Sequence, residues 1–262
     1  VSGRTAVTVD SCAYLPKHLV AEHGLLVVPL TVTIDGRSYQ EGVDITPEEF
    51  YRVLPEAKSV STSQPSPGEI LACYREAAGL GAESVLSIHI GAGVSGTVQA
   101  ATIAARESPL PVTIVDTGQA SFAEGLCAWE AVEALKAGAS AEEAASAARA
   151  ASGRVGNTFV VRALGLMKKG GRLLGEGGQS SGAPVLALTT EGVRPIGMAG
   201  SLEEAVETMA EHVHRAVERL ERGQRLRIGI GHGAAEAIAG ELRSRVEKLD
   251  GIEEIIDYTV GL

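Results

Sequence analysis

The stretch IHIGAGVSGTVQAATIAAR, residues 88–106, joins an apolar strand-like run to an apolar helix-like run through glycines, a serine and a threonine. A serine on such a turn can be a nucleophile. Ser95 stands in GVSGT, which carries threonine where the nucleophile elbow G-x-S-x-G has its last glycine. A hydrolase also needs a base, and none of His18, His23, His89, His212, His214 and His232 stands in a recognisable catalytic signature. The same turn can hold an anion without any reaction. Gly93, Ser95, Gly96 and Thr97 bring free amides, the positive end of a helix dipole and two hydroxyls to one point, which suits a carboxylate. A third chemistry is suggested late in the chain, where GIGHGA (Gly229–Ala234) fits the dinucleotide pattern G-x-G-x-x-A between a strand and a helix. A tight turn needing glycine for close packing has the same appearance.

Two further segments are rich in chemical groups. SVSTSQPSP, from Ser59 to Pro67, has more hydroxyls than a turn requires and is stiffened by Pro65 and Pro67. Lys168, Lys169 and Arg172 in LMKKGGRL form the densest cationic group in the first two thirds of the chain. No Walker A sequence, metal-ligand cluster or kinase signature is present, so neither a bound metal nor a cofactor is expected, and ATP chemistry would have to come from a partner.

Composition narrows the partners. A formal net charge of -10 without a basic run argues against nucleic acid, and only 3% aromatic residues leave few stacking surfaces. The longest apolar run, Leu25 to Ile34, is strand-like and too short to span a bilayer, so no stable membrane insertion and a cytoplasmic location are expected. Cys12, Cys73 and Cys127 are widely spaced and odd in number, which signals neither a disulfide framework nor a zinc site.

These groups must be positioned by strands alternating with helices. RTAVTVD, LLVVPLTVTI, SVLSIHI, VTIVD, NTFVV, PVLALTT, LRIGIG and IEEIIDY read as strands, a pattern that predicts an α/β fold with mostly parallel sheets flanked by helices. TPEE, SPGE, SAEE and SLEE, from Thr46, Ser66, Ser140 and Ser201, predict capping boxes. The Ala-rich stretch Ala120–Ser152 reads as scaffold. A composition change near Arg154–Asn157 predicts two α/β domains, 1–155 and 156–262, with a long glycine-rich loop early in the second.

The segments VDSCAYLP, VVPLTV, DGRSYQEGVDITPEEFY, STSQPSPGE, GVSGTVQAA, VDTGQAS and LMKKGGRL follow one another as they do in the DegV family, which the chain resembles densely up to Leu173. The resemblance implies a bacterial protein that binds a long-chain fatty acid in an apolar tunnel between two α/β lobes. It implies no catalysis of its own; the acyl carboxylate is presented to a separate, ATP-dependent fatty acid kinase subunit. Carried over by motif, it puts the ligand carboxylate on Thr62 and Ser95, with Ser63, Gly96 and Thr97 beside them, and puts Gly171 and Arg172 at an interface or ligand contact. The family continues into a His-x-Gly-Pro-Gly segment, so the domain 156–262 is expected to lack its final piece. A serine hydrolase using Ser95 and a nucleotide-binding enzyme using the 229–234 turn remain the alternatives.

Overall fold

The structure, a computed structural model, describes residues 4–161, 183–189 and 192–261. The chain forms two compact units, Val1–Val155 with Val260–Leu262, and Gly156–Thr259.

The first unit begins with β1 (Thr5–Asp10), α1 (Lys17–His23) and β2 (Leu26–Val28). The apolar run Leu25–Ile34, which the sequence presents as one strand, is divided. β2 pairs in parallel with β1, whereas β3 (Thr31–Ile34) belongs to a separate antiparallel sheet with β4 (Arg37–Gln40) and β5 (Val60–Ser63). Pro29 lies between the two pieces and has no N–H to donate to a ladder, so the break falls there. α2 (Pro47–Val53) brings Phe50 onto Val32 and Ile45 in the small core associated with this sheet.

α3 (Pro67–Gly79), β6 (Ser84–His89), α4 (Thr97–Ala105), β7 (Val112–Asp116), α5 (Phe122–Lys136) and α6 (Ala141–Ser152) complete the unit. The main sheet runs β2-β1-β6-β7 with every pair parallel. Period-two alternation sends Val7, Val9, Leu86 and Ile88 towards α5 and α6, and Val85 towards α3 and α4. The Ala-rich helices pack tightly because their inward residues are small: Ala144, Ala145, Ala148 and Ala151 are all buried against the sheet side of α5. Ser66 and Ser140 make the expected capping boxes, as does Thr46 on α2.

The second unit contains an antiparallel sheet of β8 (Asn157–Val160), β9 (Ala183–Thr189) and β10 (Gly192–Ala199), in the order β10-β9-β8. α7 (Leu202–Glu218) follows, then a parallel pair, β11 (Leu226–His232) and β12 (Ile252–Thr259), connected through α8 (Glu236–Val246). β10 was hidden in the sequence by Pro195; it lies at one end of the sheet order and its register shifts between Pro195 and Gly197, which is how a strand accommodates proline. Ser201 caps α7 by accepting from the Glu204 amide, but the Glu204 carboxylate reaches Gly200 N–H, one residue further back than in a capping box. No helix among the described residues is long and apolar enough to cross a membrane.

Candidate carboxylate site

β1 and β6 are neighbours in the parallel sheet, and their outer partners, β2 and β7, lie on opposite sides. That makes their carboxyl ends a topological switch point, where open α/β sheets form their ligand crevices. Asp10 ends β1 and His89 ends β6; the Ser95 turn follows directly.

The turn is tied from several sides. Ile90 N–H donates to Asp10 Oδ2 (3.0 Å), Gly91 N–H to Gln119 O (2.7 Å) and Ala92 N–H to Asp116 Oδ1 (3.1 Å). Val94 and Ser95 N–H both donate back to Gly91 O. Ser95 Oγ lies 2.8 Å from Thr97 Oγ1 and, at 3.4 Å, also accepts from Thr97 N–H. Ser95 is half-buried while Thr97 is fully buried, so Thr97 supports Ser95 from behind. Gly96 is the N-cap of α4, and no side chain caps that helix, which leaves first-turn amides available to an anion.

The second hydroxyl-rich segment reaches the same place. A methyl group on Gly96 would overlap the Gln64 carboxamide, so the end of β5 and the start of α4 are in contact. β5 is a strand where the sequence suggests only a loop, and its register matters. Thr62 pairs with Val32 and Ser63 with Thr31. Successive side chains alternate faces, so Thr62 lies on the Val32 face and Ser63 on the opposite one, and the two cannot join one carboxylate site from the same strand face. Gln40 Nε2 donates to Glu69 Oε1 (3.1 Å), fastening β4 to the first turn of α3 just beyond this segment, and the Ser66 amide and hydroxyl hold the Glu69 carboxyl below its ordinary range.

Behind the turn is a polar chain that sequence reasoning missed. His89 Nδ1 is 3.1 Å from Asp10 Oδ2, and His89 Nε2 is 2.6 Å from Ser87 Oγ. Ser87 Oγ also meets Tyr74 OH (2.8 Å) and accepts from Thr8 Oγ1 (3.0 Å). These side chains are all fully buried. The order Ser87–His89–Asp10 has the connectivity of a hydrolytic triad, yet Ser87 is closed to solvent and already shared between Tyr74 and Thr8, so it serves as a structural relay. Among the described residues the Ser95 hydroxyl meets Thr97 and no histidine. The available signal was the pair Ser87 and His89 at alternate positions of an otherwise apolar strand.

Glu124, on the first turn of α5, packs against Asp10. Asp10, Cys12 and Glu124 are buried with their ligand atoms within 4.8 Å of one another, a grouping that could hold a metal ion. The electrostatics favour protons instead: desolvation first, then the Asp10 charge, push the Glu124 carboxyl well above its usual range, and burial with the Glu124 charge does the same to the Cys12 thiol. Burial also pushes Cys127 up to about 12.

The other glycine turn has a different use. Gly229 and Gly231 lie inside β11, before the turn to α8, and the Tyr258 ring of neighbouring β12 occupies the space a Gly231 side chain would take. In a dinucleotide site that space admits the pyrophosphate. Here glycine permits ring packing. A depression of about 180 Å³ lined by Arg4, Thr5, Leu26 and Ala82 lies at the amino ends of the strands, away from the switch point, and is smaller than the ~300 Å³ at which ligand pockets begin. Lys168, Lys169, Gly171 and Arg172 lie outside the described residues.

The family model described as uncharacterised protein, DegV family, matches residues 4–262. The chain belongs to the DegV family. A DegV domain-containing protein of Streptomyces coelicolor is 34% identical over 257 residues, covering 95% of this chain and 90% of that one. Among solved structures, a DegV family protein from Thermus thermophilus, described by its fatty acid binding, superposes with a TM-score of 0.85 at 33% identity, covering 98% of this chain and 92% of its own. A Thermotoga maritima protein whose structure is said to reveal a fatty acid binding function superposes with a TM-score of 0.85 at 28% identity, with the same coverage of both chains. These two structures share with this chain the α/β architecture in which a parallel sheet is flanked by helices.

Proposed function

We propose that this protein binds a long-chain fatty acid, with the carboxylate held by Thr62 and Ser95 at the start of α4 and the acyl chain in an apolar tunnel. The observation that carries the reading is the contact of Gln64 with Gly96, which brings the two hydroxyl-bearing segments together at an uncapped helix start. The fatty acid binding described for the Thermus and Thermotoga relatives supports the same ligand class. Thr97 braces Ser95, and Gly96 leaves room for the carboxylate and for Gln64.

The tail supplies most of the affinity. About fourteen methylenes at ~0.8 kcal/mol each give an upper bound near ~11 kcal/mol before association and ordering costs are subtracted. Hydrogen bonds from hydroxyls to a charged carboxylate add about 1.5–3 kcal/mol each and fix which end is held. In this reading the protein does no chemistry. It presents the carboxylate to a separate ATP-dependent kinase subunit, with Lys168, Lys169 and Arg172 as the cationic group for docking. The alternatives, hydrolysis at Ser95 and nucleotide binding at Gly229–Ala234, lack respectively a histidine against Ser95 among the described residues and an open space above Gly231.

The test is extraction of protein purified from a bacterial host, followed by mass spectrometry and titration with oleate. Stoichiometric fatty acid, and binding weakened about ten- to a hundredfold by Ser95→Ala, are expected. Absence of both bound lipid and binding removes the proposal. The kinase role is tested separately by Lys168→Glu with Lys169→Glu, which should leave oleate binding intact and reduce acyl-phosphate formation by a cognate kinase.

A further inference from the structure

Asp10 joins the turn after β1 to the end of β6 and the first residue beyond it. Its Oδ1 accepts from Cys12 N–H (3.1 Å), and its Oδ2 accepts from Ile90 N–H and meets His89 Nδ1. It therefore locks the carboxyl ends of β1 and β6 together, immediately before the residues that place Ser95. Glu124 comes to the same carboxylate from α5, fully buried, and among the described residues neither of its oxygens has a hydrogen-bond partner of good geometry, although the Asp10 backbone amide acts on the carboxyl group. Two carboxyl groups this close in a dry site cannot both be charged at tolerable cost. Two ionised carboxylates are both acceptors, so the contact between the Glu124 and Asp10 side chains becomes a hydrogen bond only when Glu124 carries the proton and donates it.

The groups around this pair come from every packed element. His89 faces Asp10 from β6 and Cys12 from the turn after β1. On α5, Cys127 adds to the field at Glu124, while Glu41, at the end of β4, acts on Cys12. Tyr74 of α3 closes the chain beyond Ser87. Among the described residues no lysine or arginine is a cause of the Glu124 or Cys12 shifts, so none of them takes over if the Glu124 proton is lost.

We propose that Asp10, clamped between His89 and a proton-donating Glu124, is the positioning residue for the Ser95 turn, and that loss of the Glu124 proton loosens this turn and weakens its hold on a carboxylate ligand. The ligand half of this statement rests on the fatty-acid reading above; the positioning half does not. When Glu124 ionises, its charge repels Asp10, the shared proton leaves to solvent, and the Ile90 amide and His89 lose a fixed acceptor. Ser95 then samples positions in which its hydroxyl no longer meets the carboxylate together with Thr62. Fatty acid is held while Glu124 keeps its proton and given up as rising pH removes it.

The experiment is oleate titration from about pH 6 to about pH 10 with wild type, Glu124→Gln, His89→Gln and Ser95→Ala. It is paired with amide hydrogen exchange of residues 90–97 in protein stripped of lipid, each rate expressed as the ratio of wild type to Glu124→Gln at the same pH. Wild type should lose at least about tenfold in affinity across the range, and Ser95→Ala, which lacks the hydroxyl that the loosened turn misplaces, should start weaker and show a shallower slope. Glu124→Gln, whose amide donates at all these pH values, should bind without that slope, and the exchange ratio should rise with pH. His89→Gln should weaken binding and raise exchange in the same segment. Equal slopes in wild type and Glu124→Gln, or an exchange ratio that stays flat, overturns the proposal. A rising exchange ratio with no oleate bound by any variant supports the positioning role and overturns the lipid reading, so the two failures are distinguishable.

Discussion

Glu124 keeps its proton because burial and the Asp10 carboxylate both oppose its charge, and this has a definite consequence for stability. Its folded-state value is raised, so the native state binds a proton that the unfolded chain releases above the ordinary carboxylate range. The stabilising contribution is complete below that range and is lost as pH rises towards the folded value. Glu124→Gln removes this dependence. The variant should be more stable than wild type in urea unfolding at neutral and alkaline pH, with the advantage shrinking towards about pH 5; an advantage independent of pH would show that Glu124 is charged when folded. Gly96 gives a second residue-scale prediction. In Gly96→Ala only the end of a flexible Gln64 side chain must move, so stability should change by less than about 1 kcal/mol, while oleate affinity should fall about tenfold because the displaced amide and the new methyl crowd the anion position. Unchanged binding would take the carboxylate away from the start of α4. Ser95 is singled out by the sequence because hydroxyls and glycines stand where α4 begins, whereas Thr62, inside β5, enters only through the family resemblance. The Asp10–His89 bond was not legible, since it joins residues 79 positions apart and exists only once β1 and β6 pair.

At the scale of elements, two glycines of one turn should behave oppositely. A methyl group on Gly91 would lie 2.7 Å from Gly118 C and 2.8 Å from its Cα, whereas one on Gly93 would meet nothing within 4 Å. Gly118 cannot retreat easily: its φ is +59°, its N–H is held by Asp116 Oδ1, and Gln119 O next to it accepts from Gly91 N–H. Gly91→Ala should therefore cost about 1–3 kcal/mol, and Gly93→Ala within about 0.5 kcal/mol, in denaturant unfolding. Equal effects would contradict the close approach of the turn after β6 to the turn after β7. The elements themselves were legible to different depths. Capping boxes at Thr46, Ser66 and Ser140 are local chemistry and appear as the spacing predicts. The parallel sheet follows from strands alternating with helices. What the pattern could not supply was sheet membership: LLVVPLTVTI reads as one strand, but Pro29 turns the chain from the main sheet into the antiparallel one, and VSTS becomes a strand only because Thr33 and Ile34 offer it a partner edge. β10 fails the usual strand criteria because Pro195 and Gly197 interrupt it, and its register with β9 absorbs the interruption.

At the scale of the whole molecule, the electrostatic field works against the proposed ligand until the ligand is close. The chain carries a formal net charge of -10, so an approaching carboxylate is repelled at long range. Near the site the sign reverses, because the uncapped start of α4 and the hydroxyls of Ser95 and Thr62 present positive ends of dipoles over a few ångströms. Salt screens the first effect far more than the second. The Debye length falls from about 30 Å at 0.01 M to about 8 Å at 0.15 M, which removes most of the distant repulsion while leaving contacts inside a half-buried turn largely intact. The association rate of oleate, kept well below its micellar concentration, should therefore rise about two- to fivefold between those ionic strengths, with little change in the dissociation rate. Stopped-flow binding at several salt concentrations separates the two rates. An association rate that falls with salt would mean that a local cationic surface dominates the approach, with the group Lys168, Lys169 and Arg172 as the candidate for steering the fatty acid; repeating the measurement with Lys168→Glu and Lys169→Glu decides this, since reversal of those charges should flatten or invert the fall with salt if they face the entry route and leave it unchanged if they do not.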